Sequence, residues 1–125
     1  MITHIETVAV YVSDQERALR FYVDQLGFEL RKDAMLGAAA DGPRWIEVAP
    51  PGGQTVLVLL TPAGMEDRVG ASSGLVFLCE DIHATVAELR GRGVEFAREP
   101  MELPFGWWAP FHDPDGNQLG LSQRD

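Results

Sequence analysis

Histidine and cysteine, whose side chains serve as nucleophiles, acid–base groups and metal ligands, are few in this sequence of 125 residues. They are three histidines and one cysteine: His4, His83, His112 and Cys79. Cys79 ends the apolar run GLVFLC at 74–79, which favours a buried structural thiol over a nucleophile. His112 adjoins the Asp-Pro-Asp-Gly turn at 113–116, so it is the histidine that we place nearest to a cavity.

Glu47 is the carboxylate that could act together with His112. An imidazole and a carboxylate are common partners in general acid–base catalysis, provided that both reach the reacting proton. Two ligands rarely fix a metal ion, so Glu47 and His112 alone do not predict a metal site. Acid–base chemistry by this pair therefore stays open as an alternative.

The stretch FHDPDGNQLGLSQ at 111–123 predicts a tight turn followed by a short strand. The middle position of that strand is Gly120. Successive side chains of a strand point to opposite faces, so this position is placed to face a cavity, yet it carries no side chain. What occupies the space beside Gly120 decides whether a metal ion could be held there.

The elements that position these residues form one unit that is used twice. The first half predicts a strand at 5–12, a helix at 14–27, an extended segment at 28–32 and strands at 44–50 and 55–61. The second half predicts a strand at 75–80, a helix at 82–93, an extended segment at 94–98 and strands at 106–112 and 117–123. A β-α-β-β-β order occurs in each half, and the prediction is an α+β fold.

We therefore predict a single domain over 1–125 that contains two modules. Module one spans 1–61, a linker rich in Gly, Ser and Pro spans 62–74, and module two spans 75–125. Two such sheets, meeting as half-barrels, would leave a concave trough of the kind that holds small ligands. The glycine- and alanine-rich loop at 33–43 is a candidate cover for that trough.

Composition excludes several other classes of function. The net charge is -9, so binding to nucleic acid or to an anionic membrane is not expected. No stretch approaches the roughly 18 uninterrupted apolar residues of a membrane-spanning helix, and the N-terminus lacks a signal-peptide pattern. One cysteine forms no internal disulfide, so we expect a cytoplasmic protein in a reducing compartment.

Two segments resemble the vicinal oxygen chelate superfamily, which includes glyoxalase I, extradiol dioxygenases and bleomycin-resistance proteins. They are VAVYVSDQERALRFYVDQLGFEL at 8–30 and DPDGNQLGLSQ at 113–123. The resemblance implies two βαβββ modules, as the internal repeat does. In the metal-dependent members, a His on the first strand and a Glu on the last strand of each module bind one divalent cation, since imidazole and carboxylate suit such ions.

Carried onto this sequence, those four ligand positions fall on residues that do not bind metals. The first-strand His positions fall on Thr7 and Leu75, and the last-strand Glu positions fall on Gly120 and on either Leu57 or Val58. Only the Thr7 hydroxyl has any ligand character. The resemblance therefore predicts no metal and no cofactor, and leaves the position of Gly120 empty because no cation is held there.

Aromatic residues offer another way to bind a ligand. Trp45 and either Trp107 or Trp108 occupy corresponding strands of the two modules, and aromatic walls bind flat apolar molecules by stacking. Because adjacent strand residues face opposite ways, at most one of Trp107 and Trp108 lines the trough. The predicted ligand-binding residues are Thr7, Tyr11, Trp45, Glu47, Leu75, Phe77, Trp107, Trp108, His112 and Gly120.

The leading hypothesis is a metal-independent, homodimeric protein that binds a small apolar or aromatic molecule, with drug sequestration as one use. The alternative is a divergent metal-dependent lyase, isomerase or dioxygenase of the same superfamily. A third reading is a domain whose trough is packed shut by its own side chains. The sequence alone does not decide between binding and catalysis.

Overall fold

The computed structural model describes residues 1–38 and 42–125. The described chain forms two compact units, Met1–Val69 and Gly70–Asp125. The boundary between them falls inside the predicted linker 62–74. Among the described residues, no helix combines the length and the apolar character needed to cross a membrane.

The first unit is a four-stranded sheet with one helical segment after its first strand and a short 3₁₀ helix at Glu66–Arg68. It contains β1 (Thr7–Tyr11), α1 (Gln15–Leu19), β2 (Glu29–Met35), β3 (Arg44–Ala49) and β4 (Val56–Leu60). The strand order is β1-β4-β3-β2, with β1 parallel to β4 and the other neighbours antiparallel. The predicted loop 33–43 begins later than expected, because β2 stays paired with β3 as far as Met35. Residues 39–41 of that loop lie outside the described residues.

The helical segment of the first unit begins at a capping aspartate. The Asp14 carboxylate accepts a hydrogen bond from the backbone N–H of Arg17 at 3.0 Å, and this bond holds the pKa of Asp14 below its usual value. After α1 the chain continues as a π-helix over Arg20–Gln25. The segment ends at Gly27, whose φ of 83° is a left-handed conformation that glycine adopts without strain.

The second unit repeats this arrangement. It contains β5 (Leu75–Leu78), α2 (Ile82–Gly91), β6 (Met101–Leu103), β7 (Gly106–His112) and β8 (Gln118–Arg124). The strand order is β5-β8-β7-β6, with β5 parallel to β8, and Asp81 caps α2 as Asp14 caps α1. Both units are therefore βαβββ modules, which confirms the predicted α+β fold.

The prediction of an extended segment at 94–98 is wrong, because the second strand of this unit is β6 at Met101–Leu103. The segment packs against the core instead of joining the sheet. Val94 is buried, and the ring of Phe96 lies 5.1 Å from the ring of Phe111 on β7. Burial of these two apolar side chains takes the place of strand pairing.

The turn before β8 is held by a buried polar pair. Asp113 Oδ2 accepts a hydrogen bond from Asn117 Nδ2 at 2.8 Å, and Asp113 Oδ1 accepts from the backbone N–H groups of Asp115 and Asn117. Asn117 Oδ1 in turn accepts from the backbone N–H of Ser72 at 3.0 Å. The Asp-Pro-Asp-Gly turn is thereby fixed both to itself and to the start of the second unit, and this fixes where β8 begins.

Candidate functional site

The sheet of the first unit has one face that carries α1 and one that does not. Arg44 belongs to the helix side, because its guanidinium meets Glu16 of α1 at 2.7 Å. Trp45 and Glu47 alternate with Arg44 along β3 and point the other way. The pairing of β3, β4 and β1 adds residues from the neighbouring strands to the same face. This first helix-free face contains Thr7, Ala9, Tyr11, Trp45, Glu47 and Val58.

The structure thus brings four of the predicted site residues of the first unit onto one face. Glu47 lies opposite Val58, and Val58 lies opposite Ala9 on β1, so the centre of the face is apolar. Trp45 Nε1 donates a hydrogen bond to Glu47 Oε2 at 2.8 Å. Tyr11 is opposite Leu60 on β4, and Trp45 lies at the same end of the sheet, so the two aromatic rings are both beyond one side of this centre. The face therefore combines aromatic surface with the carboxylate of Glu47, and β2 adds Lys32 opposite that carboxylate.

The second unit also has a helix-free face. Its helix side is identified by two contacts of α2: the ring of His83 lies 4.8 Å from that of Trp107, and the backbone N–H of Ile82 donates to Gln123 Oε1 at 2.8 Å. Trp107 and Gln123 are opposite each other in the pairing of β7 with β8. The second helix-free face is thus made by the alternate positions, which include Val76, Leu78, Trp108, His112 and Gly120.

The side chain of Trp108 covers Gly120. A methyl group built on Gly120 would lie 2.6 Å from Trp108 Nε1, so a side chain at this position would require the indole or the strand to shift. The guanidinium carbon of Arg98 lies 5.8 Å from the centre of the Trp108 ring, a cation–π distance. The strand position that seemed empty from the sequence is therefore occupied by an indole ring from the neighbouring strand.

Three of the predicted site residues of the second unit lie on its helix side. Leu75 is paired with Leu119 and Phe77 with Leu121, whereas Gly120 is paired with Val76. Leu75 and Phe77 do not share a face with Gly120, because they alternate along β5 with Val76, the partner of Gly120. Trp107, in contact with α2, is the tryptophan that alternation excludes from the face of Trp108.

Sequence reasoning missed Val76 and Leu78, which the register places on the second helix-free face. Their exposed fractions are 52% and 72%. The alternation of β5 could have identified them, once Val76 is known to be the partner of Gly120. His112 is on this face as predicted and is exposed at the end of β7, while Glu47 is in the other unit.

The residues at the family's metal positions do not fit a divalent cation. The first helix-free face offers Thr7 and Val58 there, and the register resolves the earlier choice in favour of Val58, since Leu57 points to the helix side. In the second unit, Gly120 lies under an indole, and Leu75, the other position that the resemblance gives, lies on the helix side. Within residues 1–38 and 42–125, no group of three or more His, Cys, Asp or Glu side chains could hold a metal ion.

A groove of about 880 Å³ lies elsewhere, at the end of the first sheet beside the start of α1. Several of its polar groups are engaged by other groups of the first unit. Arg44 pairs with Glu16 at 2.7 Å and with Asp33 at 3.2 Å, and Gln15 donates to the backbone carbonyls of Arg44 and Leu59. None of the predicted site residues lines this groove, and its internal pairing indicates a structural role, so the candidate site is the helix-free faces.

Comparisons with known proteins cover nearly the whole chain. The family model of the Glyoxalase/Bleomycin resistance protein/Dioxygenase superfamily matches residues 2–121. YetH of Bacillus subtilis (strain 168) is 41% identical over 123 residues, which are 98% of this chain and 100% of YetH. The crystal structure of TnmS3, an antibiotic binding protein from Streptomyces sp. CB03234, shares 40% identity with a TM-score of 0.86 and covers 99% of this chain and 98% of TnmS3. A superfamily member from Sphaerobacter thermophilus DSM 20745 shares 36% identity with a TM-score of 0.87, and 98% of each chain is covered.

Proposed function

Because this chain belongs to the Glyoxalase/Bleomycin resistance protein/Dioxygenase superfamily, we propose that it binds small apolar or aromatic molecules without a metal ion. The ligand is held on the helix-free faces by stacking on aromatic side chains and by burial of apolar surface. Sequestration of a drug or an antibiotic is the use that we assign to this binding.

The observation that carries the proposal is the contact between Trp108 and Gly120. In metal-dependent relatives this strand position supplies a carboxylate ligand, whereas here an indole ring fills the same space. A carboxylate side chain and this tryptophan conformation are mutually exclusive. An aromatic surface thus stands where a metal ligand would be. This difference supports binding by stacking rather than Lewis-acid chemistry.

The similarity to TnmS3 supports the same proposal. TnmS3 is an antibiotic binding protein, and the 40% identity extends over both units of this chain. A shared fold alone would not carry function to this protein. The helix-free faces also carry aromatic side chains that could stack on a ligand. They are Tyr11, Trp45 and Trp108.

Tryptophan fluorescence tests this proposal, because Trp45 and Trp108 lie on the helix-free faces whereas Trp107 lies on the helix side of its sheet. We expect planar aromatic antibiotics to quench the emission and to raise the melting temperature of the wild-type protein. Substituting Trp45→Phe or Trp108→Phe should weaken binding by less than the roughly tenfold loss of one whole stacked pair, because phenylalanine keeps a smaller ring for stacking. Trp107→Phe is the matched control, because Trp107 packs against His83 and should leave the affinity unchanged.

Two results would count against binding on the helix-free faces. One is a panel in which no aromatic compound changes the emission or the melting temperature. The other is a loss of binding in Trp107→Phe alone, which would move the site to the helix side of the second sheet.

We propose further that the protein is a cytoplasmic homodimer. The exposed apolar side chains of Val76 and Leu78 on the edge strand β5 support the dimer, since a ligand or a second copy would remove them from water. The single thiol Cys79 suits a reducing compartment. Light scattering should report the mass of two chains, and a single-chain mass at every concentration would refute the dimer.

A further inference from the structure

We propose that Glu47 selects ligands that carry a positive charge, so that the preferred compound is an aromatic cation such as an arylalkylamine. This inference rests on the proposed function, because it concerns which compounds the first helix-free face accepts. It deepens that function by assigning a charge to the ligand.

The carboxylate of Glu47 is only partly satisfied by the protein. Its Oε2 accepts one hydrogen bond, from the neutral indole N–H of Trp45 at 2.8 Å. An ionised carboxylate has about four acceptor positions, so one neutral donor leaves most of them open. In the part of the chain that the structure describes, no Arg, Lys or His forms an ion pair with Glu47.

Glu47 has a positively charged neighbour on this face, Lys32, which does not form an ion pair with it. Val58 faces Glu47 from β4, and Trp45 is the neighbour of Glu47 along β3 on the same face. Lys32 is opposite Glu47 in the pairing of β2 with β3, yet the described side chains of the two form no ion pair. Glu47 is therefore a half-buried negative charge on an apolar and aromatic surface, where attraction to a cation is stronger than in bulk water.

Some carboxylates of the chain are ion-paired, and unpaired ones such as Glu95 are exposed, whereas Glu47 is unpaired and half-buried. Glu16 pairs with Arg44 at 2.7 Å, and Glu99 pairs with Arg90 at 2.8 Å. The net charge of -9 attracts cations diffusely, but it does not direct them to one place. We therefore assign the charge selection to Glu47. The ring of Trp45 beside it adds the attraction of an aromatic face for a cation.

The test compares three flat probes of similar size: naphthylmethylamine, which is cationic, naphthylmethanol, which is neutral, and naphthoate, which is anionic. Calorimetric affinities are measured for the wild type, for Glu47→Gln and for Glu95→Gln. Glu47→Gln keeps an oxygen that accepts from Trp45 and removes only the charge. Glu95→Gln is the matched control, because it removes one charge from an exposed position of the second unit.

We expect the wild type to bind the amine about tenfold more tightly than the alcohol, as befits a hydrogen bond to a charged group. Glu47→Gln should abolish this preference, and Glu95→Gln should retain it. Added salt should weaken binding of the amine but not of the alcohol.

An equal preference for the amine in all three proteins would overturn the role of Glu47 and point to the diffuse charge. Equal binding of amine and alcohol by the wild type would overturn charge selection while leaving the proposed function intact. If none of the three probes binds, the inference and the proposed function fail together.

Discussion

Replacing Gly120 by alanine is expected to destabilise the protein by about 1–3 kcal/mol, the usual cost of overpacking a well-packed position. The added methyl group would lie 2.6 Å from Trp108 Nε1, closer than van der Waals contact allows. Either the indole moves away from the strand or the strand moves away from the indole. We therefore expect a shift in tryptophan emission together with the lower stability, both measured by urea unfolding followed by fluorescence.

Two controls isolate the contact between Gly120 and Trp108. The first is Gly91→Ala in α2, where the added methyl group has nothing within 4 Å, so the change should be neutral or stabilising by up to about 1 kcal/mol. The second is the double variant Gly120→Ala with Trp108→Ala. Removing the indole should cancel the steric cost of the methyl group, so the two changes should not add. Additive losses in that double variant would mean that Trp108 does not occupy the space beside Gly120.

Asn117→Ala is expected to cost about 3 kcal/mol, because several polar groups lose their partners at once. The side chain of Asn117 is fully buried, donates to Asp113 Oδ2 at 2.8 Å and accepts from the backbone N–H of Ser72 at 3.0 Å. Its removal takes one hydrogen bond from the buried carboxylate of Asp113 and one from the backbone N–H of Ser72, and it also leaves a cavity. Urea or thermal unfolding of the variant measures the loss.

The control for Asn117→Ala is Gln54→Ala, at an exposed position in the turn before β4. A surface change of this kind should alter stability by no more than about 0.5 kcal/mol. If Asn117→Ala proves as mild as Gln54→Ala, the buried pair does not hold the turn before β8.

The elements of the fold that carry strong local signals could be predicted from the sequence. Asp14 and Asp81 stand where capping aspartates begin helices, and the Asp-Pro-Asp-Gly turn at 113–116 separates the last two strands. The double βαβββ order follows from these signals and from the alternation of apolar residues. Each depends on neighbours within a few positions, which is why a single sequence is enough to find it.

The features that were missed depend on residues far apart in the chain. The side of β5 that faces the site is set by its pairing with β8, where Val76 and not Leu75 meets Gly120. The sequence before Asp81 predicts the strand but not its register with β8. An error of one residue in the register turns every side chain to the other face. The same limit explains Gly120, because its role depends on a tryptophan of the neighbouring strand.

The most direct test of metal-independent binding is a calorimetric titration with one planar aromatic ligand, performed on protein purified without chelators. The titration is repeated after EDTA treatment and after addition of Zn²⁺, Mn²⁺, Fe²⁺ or Ni²⁺, and the metal content of each sample is determined. We expect the same affinity in every sample and no stoichiometric metal in the purified protein. Binding that vanishes with EDTA and returns with one of these ions, or a metal bound at one per chain after purification, would contradict the account.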